Sequence, residues 1–88
     1  MVRLFVTRKF ESDFEKIPSD IKIKTESAVN SLRNNPFNPI LNIKKLKGLG
    51  KNFWRLKVDR NYRLIYSLAK NSIILHRIRH RKDIYQNF

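Results

Sequence analysis

Apolar positions along this chain switch between two periods. At the N-terminus Val2, Leu4 and Val6 alternate with Arg3, Phe5 and Thr7, which predicts a short strand over 2–7. Thr7 is placed to cap whatever helix follows. Over residues 8–17 the spacing becomes helical: Phe10, Phe14 and Ile17 fall at i, i+4 and i+7, with Glu11, Asp13, Glu15 and Lys16 around them. That is one apolar stripe on a short helix, and it reads as core. Pro18 stops this helix or starts the next, and Ser19 and Asp20 are good N-cap residues. Ile21, Thr25, Ala28 and Leu32 then share a face to about residue 33, where Asn34-Asn35-Pro36 ends the helix. Two helices meeting at a proline predict a helical hairpin.

Residues 36–50 break the pattern. Pro36-Phe37-Asn38-Pro39 reads as a turn and Lys44 to Lys51 as a basic loop, in which Gly48 and Gly50 permit positive φ. From residue 52 the period is two. Trp54, Leu56 and Val58 alternate with Phe53, Arg55 and Lys57. Asp59-Arg60-Asn61 is a short turn. Tyr62, Leu64, Tyr66 and Leu68 alternate with Arg63, Ile65 and Ser67. Lys70-Asn71 turns again, and Ile73 to Arg79 is the last strand of a meander. Lys82 to Phe88 is left as one helical turn or an extended tail.

The element order is β-α-α-β-β-β. Helices segregated from a later antiparallel meander mean an α+β fold, with the hairpin packed on one face of a twisted sheet. The N-terminal strand must join that sheet for its apolar residues to have a partner. One domain spans residues 1–88, without repeats or linkers; at this length roughly 60% of the unfolded surface is buried, so stability is modest.

Charge sharpens the picture. Twenty Lys and Arg against seven Asp and Glu give a net +13. Such a field attracts polyanions whatever the fold, nucleic acid foremost, and then a ribonucleoprotein surface or an acidic protein. The chain has no cysteine, hence no disulfide and no thiolate ligand or nucleophile. His76 and His80 stand at i, i+4 on a β-like pattern without further evident ligands, so no metal is expected, and no cofactor. No apolar run approaches the ~20 residues of a membrane span. The first residues read as a strand rather than a signal peptide, so a cytoplasmic, membrane-free and monomeric protein is expected.

Alternation also assigns the charges to a face. With Trp54, Leu56, Val58, Leu64 and Tyr66 turned to the helices, Arg55, Lys57 and Arg63 point away from them. Arg77 and Arg79 share a face of the last strand opposite Ile74, His76 and Ile78. If the strands are neighbours, five cations gather on the uncovered face of the sheet. Cross-strand neighbours sit ~5 Å apart and like charges there repel, a cost more readily tolerated where an anion binds. A solvated surface of splayed side chains accounts for one or two such residues, less well for five when Asp59 is the only carboxylate in residues 44–82. Lys47 and Lys51 in the basic loop and Arg81 beyond the last strand extend the patch.

The chain shows no paired carboxylates, no phosphate loop opening a helix and no credible Ser/His/Asp set. Its parts suit a phosphodiester. Arginine forks stabilise a phosphorane, a lysine among cations can serve as base, and His80 or an arginine can protonate the leaving oxygen. Tyr85 can stack on a base. RNA carries its own nucleophile in the 2′-OH, so these parts suffice for metal-free cleavage of RNA but not of DNA.

At these residues the sequence resembles the RelE/ParE superfamily of toxin–antitoxin toxins, most closely its RelE-type mRNA interferase branch. The resemblance is carried by Lys45-Leu46-Lys47-Gly48, Trp54-Arg55-Leu56-Lys57, Tyr62-Arg63-Leu64-Ile65-Tyr66 and His80-Arg81-Lys82-Asp83-Ile84-Tyr85, in order and over essentially the whole chain. It implies a toxin that enters the A site of the 70S ribosome and cleaves mRNA by 2′-OH attack, leaving a cyclic phosphate. Arg55 and Lys57 match the two basic strand residues that contact the phosphate and activate the nucleophile. Arg63 matches the transition-state arginine, Arg79 a proton-donating or phosphate-stabilising arginine, and Tyr85 the base-stacking tyrosine. Arg55 stands where this branch often has lysine. The turn before Arg63 is about one residue short, and a C-terminal histidine such as His80 belongs to other branches, so the division of acid and base roles among Lys57, Arg79 and His80 stays open. The family also implies a cognate antitoxin that wraps the toxin. Two other readings share the fold: a ParE-type gyrase poison, which does not need the set Arg55, Lys57, Arg63, Arg79 and Tyr85, and a non-catalytic RNA-binding homologue.

Overall fold

The structure, a computed structural model, describes residues 2–35, 42–48, 50 and 52–84. Strand β1 (Arg3–Val6) leads into helix α1 (Arg8–Lys16), followed by helix α2 (Ser19–Asn34) and strands β2 (Ile43–Lys45), β3 (Phe53–Lys57), β4 (Tyr62–Ala69) and β5 (Ser72–His80). The five strands form one sheet in the order β1-β5-β4-β3-β2. The α+β fold, the hairpin and the meander are as the periodicity predicts. Two features go beyond it. β1 joins the sheet parallel to β5, with Arg3 opposite Ser72 and Val6 opposite Leu75, so the sheet is mixed. Residues 43–45, expected in a loop, form a further strand antiparallel to β3, Ile43 opposite Leu56 and Lys45 opposite Trp54. Three residues with one apolar side chain carry no period; pairing with β3 makes the strand.

Thr7 joins β1 to α1. Its Oγ1 accepts the Phe10 N–H at 3.2 Å, capping α1, and donates towards the carbonyls of Leu75 and His76 at 3.1 and 3.2 Å. α1 turns Phe10 and Phe14, stacked at 5.9 Å, towards the sheet. At α2 the N-cap is Pro18, with φ −60° and ψ 155° and no side-chain cap bond, so Ser19 and Asp20 lie inside the first turn. Proline's fixed φ and missing N–H suit that boundary, and Asp20 places its charge at the positive end of the helix dipole. Ile21, Thr25, Val29 and Leu32 form the buried face of α2. The core lies between this hairpin and one sheet face, where Leu56, Leu64, Tyr66, Ile73, Leu75 and Ile78 meet the helices.

Tyr66 is wholly buried there, and its hydroxyl has no hydrogen-bond partner among the described residues; burial pushes its ionisation up. An unpaired buried hydroxyl costs roughly 1–3 kcal/mol. Tyr66→Phe is therefore expected to stabilise the protein by about 1 kcal/mol in urea denaturation, whereas a loss of stability would reveal a hidden partner.

Candidate functional site

The sheet face away from the helices carries the charge, arranged in rows across the strands. Lys57 lies opposite Arg63, and Arg63 opposite Arg79. Three cations thus stand directly across β3, β4 and β5, at a spacing of ~5 Å. Two residues along, Lys44 lies opposite Arg55, Arg55 opposite Ile65, and Ile65 opposite Arg77. Lys44 reaches this face through β2, which gave no periodic signal in the sequence.

The members of these rows differ in freedom. Lys57 is exposed and Arg55 half-buried. The buried Nε of Arg55 has no hydrogen-bond partner among the described residues, so the cost of its desolvation is not offset there. Arg63 is 9% exposed, and its Nη1 donates to the carbonyls of Asp59, Arg60 and Tyr62 at 2.8, 3.2 and 3.1 Å. The Asp59 side chain organises the same turn by accepting the N–H groups of Asn61 and Tyr62 at 2.8 and 3.0 Å. The central charge of the row is thereby fixed before any ligand arrives. Preorganised charge of this kind needs no rearrangement when negative charge develops against it.

Arg77 departs from expectation. By register it belongs to the second row, yet its guanidinium is committed to Asp13 of α1: Nε to Oδ2 at 2.7 Å and Nη2 to Oδ1 at 2.9 Å, with both side chains about nine-tenths buried. That bond raises the Arg77 pKa further. Asp13 Oδ2 also accepts the Ile78 N–H at 3.2 Å. The reason is the short β1, which pairs with β5 only as far as Leu75. Beyond that point α1 lies along the edge, and its aspartate satisfies the backbone where a strand would have done so. Arg77 is a structural residue here and not part of the open cationic patch.

A bulge accounts for a second departure. Ile65 pairs with Arg77 but Tyr66 with Leu75, leaving His76 as the extra residue. His76 does not point to the helix-side core, as simple alternation predicts. It lies with Ser67 and Phe53 on the other face, Nε2 2.7 Å from Ser67 Oγ and the ring 4.8 Å from that of Phe53. Burial lowers its pKa from 6.5. The unfolded chain then takes up the proton at higher pH than the folded one, so His76 favours folding above about pH 6.5 and that contribution is lost as pH falls. The urea midpoint is expected to drop between about pH 7 and pH 5, and to drop less in His76→Gln. An equal fall in both proteins would sink this assignment.

His80 is also separated from the row. Its partner in register is Tyr62, on the helix side, with the rings edge to face at 5.5 Å. The Lys82 N–H donates to Nδ1 at 3.2 Å, so the neutral ring keeps its proton on Nε2. Lys47 and Arg81 are exposed. Lys51 and Tyr85 lie outside the described residues. Among the described residues no group of three His, Cys, Asp or Glu could hold a metal ion, and no helix is long and apolar enough to cross a membrane. Among the described residues the arrangement is a fixed cation, Arg63, flanked in register by Lys57 and Arg79, with the Arg55 Nε donor one row away.

Comparison with known proteins gives this geometry a context. The family model of the ParE toxin of type II toxin-antitoxin systems, parDE, matches residues 4–85. A Methanocaldococcus jannaschii protein named toxin RelE3 is 32% identical over 99% of both chains. Among solved structures, the RelB-RelE antitoxin-toxin complex from Methanococcus jannaschii superposes with a TM-score of 0.79 at 29% identity, covering 96% of this chain and 98% of that one. The Escherichia coli DinJ-YafQ toxin-antitoxin complex gives a TM-score of 0.82 at 18% identity, covering 96% and 97%. At that identity it speaks for the fold alone.

Proposed function

This chain belongs to the RelE/ParE superfamily of type II toxin–antitoxin toxins, and from that premise we propose that it is a ribosome-dependent endoribonuclease that cuts mRNA in the A site without a metal. The observation that carries the reading is the row Lys57–Arg63–Arg79, three cations in direct cross-strand register. In-line displacement at phosphorus needs a base and an acid on opposite sides of the phosphate and a positive charge beneath it. The register of the row supports assigning those three places to its two ends and its centre. Lys57, at the exposed end, is the base that takes the proton from the 2′-OH. The 2′-oxygen attacks phosphorus, and the two equatorial oxygens gain charge against Arg63 and Arg55. The bond to the 5′-oxygen breaks, Arg79 hands that oxygen a proton, and the products are a 2′,3′-cyclic phosphate and a 5′-OH end. His80, turned to the other face, plays no part in this step. Tyr85, by its place in the sequence, serves as the stacking platform.

By the same reading the toxin is held in check by a cognate antitoxin. The net charge of +13 suits an acidic chain laid over the cationic rows, as the RelB-RelE assembly of the Methanococcus relative suggests.

A second reading is favoured by the family description itself, which is that of ParE: the same fold as a poison of DNA gyrase. Purified toxin added to translating ribosomes with a defined A-site codon separates the two. Cleaved mRNA with a cyclic phosphate end supports the ribonuclease. Intact mRNA together with stabilised gyrase–DNA breaks supports the poison. Intact mRNA with retained, salt-sensitive RNA binding reduces the protein to a binding homologue.

A further inference from the structure

The cationic row does not end at Arg79. Where β1 stops pairing, a cleft of about 350 Å³ lies between α1 and the end of β5. Lys9, Ser12 and Lys16 line one wall, at i, i+3 and i+7 on α1; Arg79, His80 and Tyr62 line the other. Arg79 therefore belongs to both the row and the cleft. Four cations and two carboxylates border the space. One carboxylate, Asp13, already accepts three hydrogen bonds from Arg77 and the Ile78 N–H; the other, Asp83, is exposed to solvent. The volume lies at the lower end of ligand-binding pockets, roughly 300–1,000 Å³, enough for one sugar-phosphate unit and too little for an oligonucleotide. The edge-to-face Tyr62–His80 pair adds aromatic surface to the wall, and His80 a donor at Nε2.

Resting on the ribonuclease reading, we propose that this cleft holds the sugar-phosphate of the nucleotide on the 3′ side of the cut. The direction follows from the row. Lys57 marks the side of the attacking 2′-oxygen, and Arg79 the side of the departing 5′-oxygen. That oxygen belongs to the next nucleotide, whose own 3′ phosphate then lies beyond Arg79, between Lys9 and Lys16. The substrate bends around the β5 edge, and the cleft selects for a strand that continues past the scissile bond.

The test compares two uncleavable oligoribonucleotides, both with 2′-deoxyribose at the scissile position. One ends at the scissile phosphate and the other continues by two nucleotides. Lys9 and Lys16 are exposed helix-surface residues, so Lys9→Ala/Lys16→Ala keeps the fold, as a thermal melt verifies. Lys22→Ala/Lys24→Ala removes the same charge from α2 as a control. By fluorescence anisotropy the Lys9/Lys16 variant is expected to bind the longer probe about tenfold more weakly, with its salt slope reduced by ~0.7 for one phosphate of single-stranded RNA. It is expected to bind the shorter probe as the Lys22/Lys24 control does. Equal weakening of both probes, or none, overturns the proposal. Wild-type cleavage on the ribosome is scored separately: cutting without a probe-length effect refutes the cleft alone, whereas failure to cut refutes the reading on which it rests.

Discussion

Asp13→Ala is expected to cost the fold about 3–5 kcal/mol, the usual penalty for removing one partner of a buried ion pair. The Arg77 guanidinium would be left in a nearly closed site without its carboxylate, and the Ile78 N–H would lose its acceptor at the same time. A domain of this size has little stability in reserve, so a large fraction of the variant should be unfolded at 37 °C. Urea denaturation followed by circular dichroism reads the loss directly. Asp13→Leu/Arg77→Met removes both charges and should recover most of it, because well-packed apolar side chains commonly replace a buried pair at little cost. A single Asp13→Ala variant within 1 kcal/mol of wild type, the net scale of one ordinary hydrogen bond, would mean that solvent reaches the pair and that α1 is not fastened to the sheet through it.

The second large effect concerns catalysis. Arg79→Ala and Lys57→Ala are each expected to lower the cleavage rate by roughly 10²–10⁴-fold, with little loss of stability. The double variant should fall far short of the product of the two, since residues that act on one transition state are not additive. Lys57→Arg is the informative companion. It keeps the charge, but a guanidinium gives up its proton far less readily than an ammonium. It should therefore be nearly as slow as Lys57→Ala if lysine is the base, and nearly as fast as wild type if only charge matters there. Arg63→Ala is a poorer probe, because it also releases the carbonyls of Asp59, Arg60 and Tyr62 and so mixes turn stability with rate. Single-turnover cleavage on A-site-programmed ribosomes provides the measurement.

The sequence showed much of this because a strand exposes its faces through alternation. Arg55, Lys57, Arg63 and Arg79 lie on the uncovered face that their neighbours' apolar character assigned to them. What alternation could not show was set by single interruptions of the ladder. One bulge between Leu75 and Arg77 turned His76 out of the helix-side core. A β1 that ends at Leu75 left an edge for Asp13 to occupy, and with it drew Arg77 out of the patch. β2 is too short to have a period, so the place of Lys44 opposite Arg55 was visible only once the strands were paired. His80 fell on the far side of the sheet because Tyr62 and not Arg63 is its partner, a matter of register that no residue type reveals.

The repulsion within the Lys57–Arg63–Arg79 row has a consequence for how genes of this kind decay. If Lys57 is the base proposed above, replacing it with a neutral, strand-favouring residue such as threonine removes activity while relieving like-charge strain and raising β propensity. Cells selected to survive the toxin without its antidote would then accumulate crippled copies that fold at least as well as the parent.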